Sequence, residues 1–81
     1  MPVKEGARVV TADGEHAGDI ERVLADPSRD RATHLLISQG LILQEKKVVP
    51  TSWIKRVQEN EVRLAVSSGL IEELPEYKEE G

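Results

Sequence analysis

Residues 33–50 read Thr33-His34-Leu35-Leu36-Ile37-Ser38-Gln39-Gly40-Leu41-Ile42-Leu43-Gln44-Glu45-Lys46-Lys47-Val48-Val49-Pro50 and hold the densest apolar content of the chain. The apolar residues occupy consecutive positions rather than alternate ones. In a strand, neighbouring side chains point to opposite faces. Leu35 and Ile37 therefore face one way and Leu36 the other, and Leu41-Ile42-Leu43 and Val48-Val49 divide in the same manner. Strands apolar on both sides need cover on both sides.

Outward from this run, turn chemistry divides the chain into short strands. Arg8 to Thr11 reads as a first strand, followed by Asp13-Gly14, a hairpin signal because glycine tolerates the positive φ of tight turns. Gly18 to Asp26 is a second strand. The step from Ile20 to Val23 breaks alternation and predicts a bulge or bend near Glu21-Arg22. Asp26-Pro27-Ser28-Arg29-Asp30 is a turn, Ala32 to Gln39 the third strand, and Lys46 to Pro50 a further one closed by proline. Leu41-Ile42-Leu43 is either a short strand or an extended loop. Thr51-Ser52-Trp53 suits a single helical turn. Ile54 to Gln58 and Glu61 to Val66 form a hairpin about Glu59-Asn60, and Val62, Leu64 and Val66 bury one face. Ser67 or Ser68 is placed to cap a short helix through Leu74, with Glu72 and Glu73 toward its positive end and Leu70, Ile71 and Leu74 as its docking stripe. Pro75 ends the helix, and residues 78–81 are expected to fray. Six strands with tight turns and one terminal helix predict a mainly β fold, a small closed or partly closed six-stranded β-barrel with a short C-terminal helix.

With 81 residues, the chain forms one domain, its core spanning about residues 6–77. No cysteine is present, so neither disulfides nor thiolate metal sites hold it together. The opening Met-Pro-Val-Lys-Glu-Gly lacks the apolar core of a signal peptide, and no run approaches the ~20 apolar residues of a membrane span. A cytoplasmic location is expected. The net charge of −4 resides in residues 72–81, where Glu72, Glu73, Glu76, Glu79 and Glu80 stand against Lys78 alone. A neutral body with an acidic tail argues against non-specific binding to nucleic acid. Trp53 and Tyr77 are the only aromatics, too few for a base-stacking platform.

Residues able to do chemistry are sparse. Asp13, Glu15 and His16 crowd a hairpin tip, but no second arm stands at the spacing of a metal site, and a solvated turn accounts for them. Asp26 and Asp30 serve their turn. His16 and His34 are the only histidines, and Ser38, Ser52, Ser67 and Ser68 lack the context of a nucleophile. No catalytic, cofactor or metal residues are assigned. Lys46-Lys47 with Lys55 and Arg56 is the one basic concentration, read as a solvated strand end. Trp53 is a core anchor beside Pro50 and Ile54, or a contact hot spot if exposed.

The order of these signals resembles the PRC-barrel family, named for the H subunit of the photosynthetic reaction centre. The matching segments are Gly6 to Val10, Asp13 to Ile20, Val23 to Pro27, Ala32 to Ile37, Lys47 to Pro50, Trp53-Ile54 and Leu74 to Tyr77. The resemblance implies a compact adaptor barrel. Relatives include part of a bacterial ribosome maturation factor that binds a small-subunit ribosomal protein, and archaeal stand-alone forms linked to cell division. It carries over no catalytic residues.

The expectation is a non-enzymatic interaction module, self-associating as a homodimer through Leu36, Leu41, Ile42, Leu43 and Trp53, with a ribosome-assembly factor as the alternative. Either Leu70, Ile71 and Leu74 cover the second apolar face, or another protein does.

Overall fold

In the computed structural model, which describes residues 3–28, 31–40 and 45–78, the apolar run supplies two adjacent strands. These are β3 (Arg31–Gln39) and β4 (Glu45–Pro50), paired antiparallel with Leu36 opposite Val48 and Ile37 opposite Lys47. The others are β1 (Arg8–Val10), β2 (His16–Asp26), β5 (Ile54–Gln58) and β6 (Glu61–Leu64), with one helix, α1 (Ser68–Glu73), among the described residues. The strands form a single six-stranded sheet in the order β4-β3-β2-β1-β6-β5, antiparallel throughout except for the parallel β1–β6 pair.

The expected bulge lies where the alternation breaks: the β2–β3 register shifts between Ile20 and Arg22. The Asp13-Gly14 turn also forms, with Gly14 at φ 85° and its N–H donating to the Thr11 carbonyl. Gly18, at φ 148°, marks a crowded crossing, where a Cβ would lie 2.6 Å from the Ser38 carbonyl oxygen. Only glycine avoids both the clash and the strain there.

The fold is mainly β, but the sheet does not close into a barrel. Its edges, β4 and β5, are joined by a single 3₁₀ turn, Thr51–Trp53. Three intervening residues hold the two ends within about 14 Å. The sheet is therefore curled, yet β4 does not pair with β5. Its outer edge meets the C-terminal segment instead, with the Tyr77 N–H donating to the Lys46 carbonyl at 2.7 Å. Lys47, 6% exposed, turns inward and donates to the carbonyls of Leu74 (2.6 Å) and Glu72 (3.4 Å). The end of α1 and the residues after it thus stand where a closing strand pair would be.

One core fills the concave side. Val9, Ile20, Leu35, Ile37, Val49, Val62 and Leu64 from the sheet meet Ile71 of α1, with Trp53 and Leu74 packed against them. Two expectations about the helix need correction. Ser67 occupies the N-cap position but makes no side-chain cap bond. The helix is also only six residues long, so Glu72 and Glu73 fall at its C-terminal end and not near its positive pole. Leu41-Ile42-Leu43, the Arg29-Asp30 part of the second turn and residues 79–81 of the expected frayed tail lie outside the described residues.

Candidate functional site

The hairpin tip between β1 and β2 gathers the densest polar cluster. Asp13 accepts from the Thr11 hydroxyl, from the Ser68 N–H at 3.0 Å and from the Ser68 hydroxyl at 2.7 Å. These bonds favour the carboxylate, the Thr11 bond most, and lower its pKa from 3.8 to about 2. Asp13 therefore supplies, from 55 residues away in sequence, the cap that Ser67 does not. Its oxygens are spent on structure. His16 Nε2 lies 3.1 Å from Asp19 Oδ1 with both side chains about half exposed.

Two shallow hollows of about 210 and 330 Å³ flank Gln39, whose amide donates to the Ala17 carbonyl. Glu15, His16, Ser68 and Glu72 line the first; His16, Asp19 and Ser38 line the second. Ser38 stands opposite Asp19 across the β2–β3 ladder, but His16 bonds to Asp19 and not to the serine. A water-exposed imidazole–carboxylate pair without a bonded nucleophile or oxyanion donors does not make a hydrolytic site. Among the described residues no group of three or more His, Asp or Glu side chains is placed to hold a metal ion.

The second cluster is apolar and lies on the sheet's convex face. Leu36 belongs there, since its neighbours Leu35 and Ile37 enter the core and it does not. It is nonetheless 1% exposed, set between its cross-strand partners Arg22 and Val48. The same face carries Leu24 opposite His34, and His34 opposite Pro50; Leu24, His34, Val48 and Pro50 are all half-buried. His34 Nδ1 lies 3.0 Å from the Thr33 hydroxyl. Leu36 is thus the floor of this strip, not its rim. Trp53 packs against the concave core, so it acts as an anchor from the opposite side. Helix α1 packs on the concave side and so is not what buries Leu36 on the convex one; its Leu70 is 38% exposed.

The basic residues that run together in sequence are separated in space. Lys46 pairs with Glu21 at 3.1 Å on the convex face, Lys47 is buried beneath α1, and Lys55 and Arg56 lie on β5 at the other edge of the sheet. The pleat divides what the linear order placed side by side.

Residues 3–71 match the family described as "Uncharacterized protein conserved in bacteria (DUF2171)". The chain belongs to this family. The finding overturns the PRC-barrel resemblance, for the match is to DUF2171 and no PRC-barrel family matches. The segments that suggested it, such as Asp13 to Ile20 and Lys47 to Pro50, combine a tight turn with apolar strand residues, which any small curled sheet needs. With the resemblance goes the basis for comparison with a ribosome maturation factor. No curated protein matches this DUF2171 chain. No helix among its described residues is long and apolar enough to cross a membrane.

Proposed function

We propose that this DUF2171 protein is a non-catalytic interaction module that pairs with a second copy through the convex face of β2, β3 and β4. The observation that carries this reading is the placement of α1. The helix spends Ile71 and Leu74 on the concave core, so Leu24, Val48 and Pro50 around the Leu36 floor keep their half-exposed faces. Leu41-Ile42-Leu43, which fall between β3 and β4 in the sequence, are three further apolar residues. An interface of standard size takes about 800 Å² from each partner. That is about a seventh of the 5603 Å² surface.

Size-exclusion chromatography with light scattering, at about 50 μM and ~0.3 M salt, tests the proposal. The expected result is a dimer that Val48→Asp and Ile42→Asp each convert to monomer while circular dichroism stays unchanged. A wild-type chain that remains monomeric under these conditions overturns it. So does a dimer indifferent to both substitutions.

A further inference from the structure

The outer face of β5 and β6 carries an electrostatic conflict. The β5–β6 register pairs Ile54 with Leu64, then shifts and pairs Arg56 with Arg63. Ile54 and Val57 both pack on the core, so the shift turns two consecutive residues, Lys55 and Arg56, to the outside. Bulges re-aim side chains in this way. Arg56 then stands directly across from Arg63, and like charges so placed destabilise a strand pair. Among the described residues none of Lys55, Arg56 and Arg63 has an ion-pair partner. The adjoining row runs Gln58, Glu61, Arg8 and Asp19, so Arg8 is flanked by two carboxylates while Lys55, Arg56 and Arg63 face none across the ladder.

A complementary acidic group lies at the end of α1. Glu72 and Glu73 occupy its last turn, which holds no basic residue, and the Lys47 ammonium there is turned to the Glu72 and Leu74 carbonyls. Glu76 follows, and all three are exposed. Within one copy these groups cannot neutralise each other. Helix α1 packs on the concave side, and Tyr77 and Leu74 are tied to Lys46 and Lys47 on β4, while the arginines project from the convex side of β5–β6.

We propose that the Lys55–Arg56–Arg63 face of one copy receives the acidic segment around Glu72, Glu73 and Glu76 of a second copy. Guanidinium groups bind carboxylates bidentately, and here the contact relieves repulsion on both sides. Phosphate is the other anion of suitable chemistry. Affinity for nucleic acid, however, rests on the number of phosphates that cations neutralise. This face offers four cations with Glu61 and Asp19 among them, on a chain of net charge −4. The contact joins two different patches: exchanged reciprocally about a two-fold axis it is isologous and closes a dimer, and otherwise it is heterologous and grows into rings or chains.

Sedimentation velocity of the full chain at about 50 μM, in ~20 mM and ~500 mM salt, provides the test. The expected result is assembly beyond the salt-resistant dimer at low salt, which high salt removes and which Arg56→Gln with Arg63→Gln weakens about tenfold. A charge-swap experiment sharpens it. One variant carries Arg56→Glu and Arg63→Glu; the other carries Glu72→Lys, Glu73→Lys and Glu76→Lys. Each alone is expected to lose the salt-sensitive association, and their mixture to regain it. Association that is no greater at ~20 mM than at ~500 mM salt, and that Val48→Asp abolishes while the Arg→Gln changes do not, belongs to the apolar face and overturns this contact alone. A chain monomeric at ~20 mM salt overturns it, as does a mixture that fails to associate. Binding of a short RNA that depends on Arg56 and Arg63, without self-association, assigns the face to phosphate and overturns it too.

Discussion

The carboxylate of Asp13 accepts twice from Ser68 and once from Thr11, and each bond favours its charged form. Lowered from 3.8 to about 2, its pKa links folding to pH with a definite sign. A carboxyl held below its unfolded value contributes fully above that value. It loses the contribution as pH falls through the folded value, here from about 4 down to about 2. In Asp13→Asn the urea midpoint is expected to fall at pH 7, and to depend less on pH between about 4 and 2 than in the parent. Unfolding curves collected at several acidic pH values check both. An unchanged pH slope would show that the tie to Ser68 does not persist in solution. Sequence displays Asp13 as a turn residue, which it is. Its role as a distant cap is invisible there, because the acceptor and its donor are joined only when the parallel β1–β6 pair brings the hairpin tip to the start of α1.

At the scale of elements, local chemistry made most strands legible. Pro27, Gly40 and Pro50 mark ends, and the Ile20-to-Val23 step locates a bulge that the register confirms. Closure was not legible, because it depends on which segment reaches the β4 edge first. The segment docked there is bonded by Lys47, a residue whose sequence neighbours Lys46 and Glu45 suggest a solvated strand end. Its position opposite Ile37 points it inward, where its ammonium satisfies carbonyls that the end of a six-residue helix leaves without partners. Lys47→Met keeps the apolar stem and removes the donor. Leaving those carbonyls unpaired is expected to cost about 1–3 kcal/mol. Amide hydrogen exchange should accelerate at the end of α1 and at Tyr77, with β1 and β6 little changed. Uniform acceleration across the sheet would mean that Lys47 supports the core as a whole and not the docking of one element. The candidate convex strip was half legible. Alternation separates Leu36 from Leu35, but which face the helix covers follows only from where Ile71 lands.

For the whole molecule, size sets how far such ties can be loosened. At roughly 0.05–0.15 kcal/mol per residue, a chain of this length has a stability of about 4–12 kcal/mol. There is no disulfide to add to it. The helix contributes a single fully buried side chain, Ile71 at 1% exposure, and it contacts a core built from strands at both ends of the sheet order. Because the same segment is also held by Asp13 and Lys47, helix and sheet are expected to unfold together. Ile71→Ala removes buried methyl groups and leaves a cavity under the helix, a change that typically costs about 2–5 kcal/mol. For a domain of this size each kcal/mol corresponds to about 4–8 °C, so the melting temperature should drop by roughly 10 °C or more. Thermal melts followed by far-ultraviolet circular dichroism and by Trp53 fluorescence should shift together, since Trp53 packs against the same core from the 3₁₀ turn. Two separated transitions would show instead that α1 melts from an otherwise stable sheet. The β4 edge would then be exposed before the strands come apart, and edge pairing between copies would become the main hazard on heating.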